Sequence, residues 1–206
     1  GEVRAVMAGG TPMITPARLR SAVEAALVRL KTDHIHLYQL HWPNRGSYHF
    51  RQNWTWTPPR QPVSAIRDDI RALLIEAAAL IAEGKIGQLG LSNESAWGLT
   101  TWLEIARTDR LPAVGAIQNE YSLLCRLADT DLAEVCALEQ VPLLAWSPLA
   151  AGLLTGKYVG DVTPAGSRRS LTASLGQRIT PRAVAAVDAY LDVARSHGLD
   201  PIHMAL

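Results

Sequence analysis

The chain has 206 residues, 48% of them hydrophobic, enough to bury a substantial core as a single domain over residues 1–206, and this composition excludes wholesale disorder. Lys and Arg number 20 against 19 Asp and Glu, so the net charge of +1 supplies no field that would draw nucleic acid or an anionic membrane. No apolar run approaches the ~18 residues of a membrane span, and Gly1-Glu2-Val3-Arg4-Ala5-Val6-Met7 lacks a leader-like apolar core, so a soluble, cytoplasmic protein is expected. Cys125 and Cys136, the only cysteines, have no CxxC spacing and read as reduced structural thiols, with no metal site expected.

In chain order, Pro16 to Lys31 reads as an amphipathic helix with Leu19, Val23, Ala26, Leu27 and Leu30 at three- and four-residue steps and Thr15 as N-cap. Ile35 to Leu40 follows as a short apolar run halted near Pro43, which suits a buried strand. Residues 44–62 carry Gly46, Pro58, Pro59 and Pro62 among Tyr48, Phe50, Trp54 and Trp56, the composition of a loop whose aromatics either line a substrate entrance or pack on neighbouring loops. Val63 to Glu83 predicts a long helix stopped by Gly84, and Ile86 to Leu91 a second strand. The cycle then repeats: helix from about Ala96 to Thr108, strand Val114 to Gln118, helix Asp129 to Glu139, strand Pro142 to Trp146. Gly152 to Thr180 breaks the rhythm, after which Pro181 to His197 reads as a helix ended by Gly198, and Asp200-Pro201 opens another.

Strands alternating with helices argue for an α/β fold with a parallel sheet. Twenty-five positions separate Asn93 from Gln118 and 29 separate Gln118 from Ser147, close to the ~30 residues of one strand-helix-strand unit. In such a sheet the carboxyl ends of the strands share one side, so His41, Ser92, Asn93, Gln118, Trp146 and Ser147 are expected to converge there. His41 is the best candidate for a reacting side chain, since an imidazole donates to a carbonyl oxygen or exchanges a proton near neutral pH, although a histidine at a strand end equally well satisfies a neighbouring backbone group. His34 and His36 sit at the opposite end of that strand and read as stability positions. Asn93 and Gln118 each offer an amide donor and a carbonyl acceptor to a carboxamide-bearing ligand, while Asn93 or Ser95 serves alternatively as the cap of the next helix. Trp146 offers a flat face to a heteroaromatic ring, and Gly152, Gly156 and Lys157, with Ser167, Arg168 and Arg169 beyond them, form a stretch able to close over phosphates, without the order of a Walker loop.

Taken together, Leu37-Tyr38-Gln39-Leu40-His41-Trp42-Pro43, Gly84-Lys85-Ile86-Gly87-Gln88-Leu89-Gly90-Leu91-Ser92-Asn93, Ile117-Gln118-Asn119-Glu120-Tyr121-Ser122 and Trp146-Ser147-Pro148-Leu149 through Thr155-Gly156-Lys157-Tyr158 resemble, in order and spacing, the aldo-keto reductase superfamily, and most of all its bacterial NADP-dependent members. The resemblance implies a partial (β/α)8 TIM barrel with about four parallel strands and an NADPH-dependent oxidoreductase that reduces a small-molecule aldehyde or ketone to an alcohol. It implies that His41 is the catalytic, carbonyl-polarising histidine and that Ser92, Asn93 and Gln118 hold the nicotinamide carboxamide. Trp146 takes the place of the aromatic that stacks on the nicotinamide, commonly a tyrosine. The loop running through Ser147, Pro148, Leu149, Gly152, Leu154, Thr155, Gly156 and Lys157, with Arg169, wraps the pyrophosphate, and Trp42, Trp54 and Trp56 border the substrate.

The family's catalytic tyrosine, its aspartate and lysine partners and its arginine-bearing stretch for the adenosine 2′-phosphate have no corresponding segment, so the chain reads as the central and C-terminal part of a barrel, a fragment truncated at both ends and catalytically inactive alone. Two further readings stand beside the enzyme: a nicotinamide-binding regulatory module, and an inactive structural fragment with open edge strands.

Overall fold

The computed structural model describes residues 13–58 and 60–206. The reading of the first seven residues and that of Pro59 as a loop residue lie outside them.

Helix α1 (Pro16–Leu30) starts where the Thr15 hydroxyl accepts from Arg18 N at 3.3 Å, and it buries Leu19 and Val23. Strand β1 (Ile35–Leu40) leads through the loop to helix α2 (Val63–Ala82), whose Ile70, Leu73, Leu74, Ala77 and Leu80 are buried at the steps the sequence predicts. Gly84, at φ +74°, ends α2 as a left-handed residue: its N–H donates to Ile81 O at 2.9 Å and Lys85 N–H reaches back to Leu80 O at 3.0 Å, the paired bonds of a Schellman motif. Strand β2 (Ile86–Ser92) then pairs parallel with β1, from Ile35 opposite Ile86 to Leu40 opposite Leu91.

Helix α3 (Ala96–Thr108) occupies the expected residues, and its cap is Ser95, whose hydroxyl accepts from Gly98 N at 3.1 Å. Asn93 therefore does not cap. Strand β3 (Ile117–Glu120) starts later than Val114 yet pairs parallel with β2, with Ser92 opposite Gln118; the preceding residues still bond to β2 through Gly115 N to Leu89 O and Leu91 N to Ala116 O. Helix α4 (Leu132–Leu138) is shorter than the sequence predicts. Asp129 belongs instead to a 3₁₀ turn, Leu127–Asp129, where its carboxylate accepts from Tyr121 Oη at 2.6 Å and pairs with Arg126 rather than capping α4. Strand β4 (Leu143–Trp146) completes a four-stranded sheet in the order β1-β2-β3-β4, the order a succession of parallel strand-helix units produces.

The stretch after β4 is built of 3₁₀ turns, Ala150–Thr155 and Val159–Asp161, a short helix α5 (Arg168–Leu171), helix α6 (Pro181–Ser196) and helix α7 (Pro201–Ala205). Thr180 and Asp200 cap the last two: Thr180 Oγ1 accepts from Ala183 N at 3.1 Å, and Asp200 Oδ1 from Ile202 N at 2.8 Å and His203 N at 3.0 Å. The chain divides into two compact units. The first takes in the chain up to Tyr48, then Trp54–Asn119 and Asp131–Leu144, and its core is the apolar side of α2 and α3 with Leu89, Leu91 and Ile117 of the sheet. The second comprises His49–Asn53, Glu120–Thr130 and Ala145–Leu206, around buried Ala150, Leu153, Leu154, Tyr158, Leu175 and Val187. Among the described residues no helix is long and apolar enough to cross a membrane, and no group of three or more His, Cys, Asp or Glu is placed to hold a metal ion.

Candidate active site

Within the first unit, the carboxyl ends of β1, β2 and β3 are tied together by side chains. Asn93, 1% exposed and left-handed at φ 55°, donates through Nδ2 to His41 O at 2.9 Å and to Ser92 Oγ at 3.1 Å. Ser92 Oγ in turn donates to Gln118 O at 2.7 Å, and Asn93 N to the same carbonyl at 3.0 Å. Asparagine tolerates a left-handed backbone better than most residues, and here that conformation turns the chain out of β2 so that its amide reaches back to β1. His41, Ser92, Asn93 and Gln118 are thus brought together. The His41 and Gln118 side chains are half-buried, and burial pushes the imidazole pKa below its ordinary value, which favours the neutral, hydrogen-bonding form at pH 7.

Beside this junction lie three residues that the sequence reading did not single out. Glu94, 1% exposed, forms a two-point ion pair with Arg45, with Nη1 donating to Oε2 at 3.0 Å and Nη2 paired with Oε1. The same guanidinium donates to Ser95 Oγ at 3.1 Å and lies 5.0 Å from the centre of the Trp97 ring. A Cβ on Gly98 would collide with the Glu94 carboxylate, so the first turn of α3 is glycine where the ion pair packs on it. Asn119 exchanges bonds with the Glu94 backbone, donating to its carbonyl at 2.8 Å and accepting from its N–H at 3.2 Å. The available sequence signal was a charge just after β2 and a second asparagine within β3; the 49-residue separation of Arg45 from Glu94 concealed the pairing.

The tryptophans named for the substrate are dispersed in role. Trp42, half-buried, lines a small cavity of about 30 Å³, of water size, that mixes apolar side chains such as Ile70 and Trp102 with the polar Asp69, Arg45 and Glu94. Trp54 is 92% exposed. Trp56 meets Tyr48 edge to face at 6.2 Å.

Within the second unit, Trp146 ends β4 half-buried, and Phe50 stacks on it with centroids 5.0 Å apart and planes 26° from parallel. Arg178 lies over the same indole at 5.7 Å. After Trp146 the chain turns on left-handed Ser147, Ala150, Ala151 and Gly152. Ala150 N bonds to Ser147 O at 2.8 Å, and Gly152 N and Leu154 N both reach Leu149 O. Thr155 Oγ1 donates to Gly152 O at 2.8 Å and accepts from Lys157 N at 3.3 Å. Leu154 is buried in the core of this unit, Ser147, Pro148 and Leu149 are half-buried, and Gly156 forms the left-handed end of the turn. The exposed Lys157 ammonium stands 5.2 Å from the Tyr158 ring centre. Arg169 pairs with Asp161 and donates to Val162 O at 3.2 Å, which fastens it to the outer turn. Glu120, 4% exposed, was also not foreseen: its Oε1 accepts from Arg51 Nη2 at 2.5 Å and from Arg178 Nε and Nη2 at 3.0 and 2.8 Å.

The model of the Aldo/keto reductase family matches residues 6–206. Protein tas of Escherichia coli (strain K12) is 43% identical over 189 residues, which are 91% of this chain and 53% of that protein. An aldo-keto reductase of Babesia bovis is 32% identical over 200 residues, covering 91% of this chain and 69% of that one. Among solved structures, the glycerol dehydrogenase AKR11B4 from Gluconobacter oxydans superposes with a TM-score of 0.63 at 28% identity, over 91% of this chain and 49% of its own. The chain spans about half the length of protein tas and of that dehydrogenase. Its four parallel strands with flanking helices make up part of a (β/α)8 barrel. The chain belongs to the aldo/keto reductase family.

Proposed function

We propose that the protein to which these residues belong is an NADPH-dependent oxidoreductase that reduces an aldehyde or ketone to an alcohol. The observation that carries the reading is the junction at the ends of β1, β2 and β3, where Asn93 and Ser92 lock the His41 backbone and the Gln118 carbonyl into one hydrogen-bonded set. The bond to its carbonyl fixes the His41 backbone at the strand end, and the neutral imidazole that burial favours carries one ring N–H able to donate to a carbonyl oxygen. Negative charge grows on that oxygen in the transition state, so a donor aimed there lowers the barrier.

The residues present fit a nicotinamide cofactor. When bound, that group supplies the hydride. Gln118, a half-exposed amide that donates and accepts, would hold the carboxamide, with Ser92 and Asn93 fixing the backbone around it. Trp146 would stack on the ring. The backbone turns from Ser147 through Pro148 and Leu149 to Gly152, Leu154, Thr155 and Gly156, with Lys157 and Arg169 as cations, would meet the pyrophosphate. Trp42, Trp54 and Trp56 remain the proposed substrate contacts.

The experiment is NADPH oxidation by the full-length protein over a panel of aldehydes and ketones, wild type against His41→Ala. The reading expects turnover in the wild type and a loss of roughly 10²–10⁴-fold in kcat in the variant. Absence of turnover with any carbonyl, or a His41→Ala variant as fast as wild type, counts against it.

A further inference from the structure

Phe50 and Arg51 are consecutive non-glycine residues with left-handed backbones, at φ 57° and 68°, in the loop after β1. Such a pair is strained and persists only where side-chain contacts hold it. Two contacts do so. The Phe50 ring stacks on Trp146 at 5.0 Å, and Arg51 donates to Glu120 Oε1 at 2.5 Å. That buried oxygen also carries Arg178, whose third nitrogen, Nη1, donates to Leu175 O at 2.8 Å and whose guanidinium lies over Trp146. The contacts close a ring: Trp146, Phe50, Arg51, Glu120, Arg178 and back to Trp146. Arg178 is anchored through all three of its nitrogens, and Phe50 sits half-buried on a loop beside Arg51.

We propose that Phe50 is an intramolecular latch that occupies the Trp146 face in the manner of a ligand ring and gives way when a nicotinamide takes its place, with Arg51 and Glu120 as the hook that returns it. This rests on the proposed role of Trp146 in ring stacking. Aromatic pairs prefer the offset-stacked or edge-to-face geometry, and Phe50 already satisfies the first. Every nicotinamide that stacks there displaces that contact, so the latch weakens cofactor binding and shortens the bound state. Glu120, accepting from two arginines at once, lets the hook release while the carboxylate stays paired with Arg178.

The test is calorimetric titration of NADPH into the full-length wild type, Phe50→Ala, Arg51→Gln and Trp146→Ala. The latch predicts NADPH bound about two- to tenfold tighter by Phe50→Ala, the factor that corresponds to one lost competing stack, and tighter also by Arg51→Gln, in which the ring remains but its hook is gone. Trp146→Ala binds more weakly than wild type. Unchanged or weaker binding by Phe50→Ala, with Trp146→Ala still weakened, overturns the latch and leaves the role of Trp146 intact. Equal binding by Trp146→Ala and wild type, or no binding by any of the four, brings down the stacking role and the latch together.

Discussion

Replacing Asn93 with alanine removes the bracket between β1 and β2. The side chain is 1% exposed and donates to His41 O at 2.9 Å and Ser92 Oγ at 3.1 Å, so alanine leaves a carbonyl and a hydroxyl short of a partner in a site where water enters poorly. A buried group stripped of its hydrogen bond costs about 1–3 kcal/mol. The backbone at φ 55° adds a further 1–2 kcal/mol or so, because a Cβ meets the following carbonyl there and alanine lacks the local hydrogen bonding that lets asparagine adopt it. Together the substitution is expected to destabilise by about 2–5 kcal/mol, a large share of the ~5–15 kcal/mol of a typical domain. Urea unfolding of wild type, Asn93→Ala and Asn93→Gly reads this directly: glycine relieves the backbone part and restores none of the bonds, so it should fall between the other two. An Asn93→Ala unfolding free energy within about 0.5 kcal/mol of wild type, at unchanged denaturant slope, refutes the bracket.

Arg45→Ala leaves the Glu94 carboxylate buried without its guanidinium and should cost about 3–5 kcal/mol in the same unfolding assay, whereas replacing both partners with apolar residues of similar volume costs much less. The His41 ring, its pKa lowered by burial, should titrate in NMR with a midpoint below the ordinary 6.5. Because the folded state binds that proton less well than the unfolded chain, its contribution to stability is present above about pH 6.5 and is lost as the pH falls through the folded value. Glu83, hydrogen-bonded first by Arg20 and then by Lys85, is held down to about 2 from an ordinary 4.5, so its support is full above the ordinary value and disappears as acid approaches the lower one. The stability gap between wild type and Arg20→Ala should therefore narrow between about pH 5 and pH 2 in acid unfolding.

The sequence made the helices and strands legible where local chemistry and burial agree. Strand β1 and helix α3 occupy the residues expected of them, and Gly84 ends α2 as its position implied. It did not reveal ends made without glycine: Lys31, Arg110 and Gln140 adopt left-handed backbones at helix termini, where the following N–H of Thr32, Leu111 and Val141 reaches back to Leu27 O, Ala106 O and Cys136 O, and at Lys31 a second bond to Val28 O completes the pair that glycine usually accompanies. The helix expected from Asp129 starts only at Leu132, because Asp129 lies in a 3₁₀ turn where Tyr121 and Arg126 take its carboxylate. In the candidate site, His41, Ser92, Asn93 and Gln118 were legible from their places at strand ends. Arg45 with Glu94, and Arg51 with Arg178 on Glu120, were not, because each pair joins residues 49 or more positions apart and no local periodicity records a long-range ion pair. Phe50 read only as one loop aromatic among four, since its contact with Trp146 depends on two left-handed residues that nothing in their side chains announces.

The proposed hydride transfer to a carbonyl carbon is tested by following an isotope. Full-length protein is incubated with an accepted aldehyde and NADPH deuterated at the transferable nicotinamide position, and the alcohol is analysed by mass spectrometry and NMR. One deuterium on the carbinol carbon is the expected result. Alcohol that forms without label there, or no alcohol from any aldehyde or ketone supplied, would contradict it.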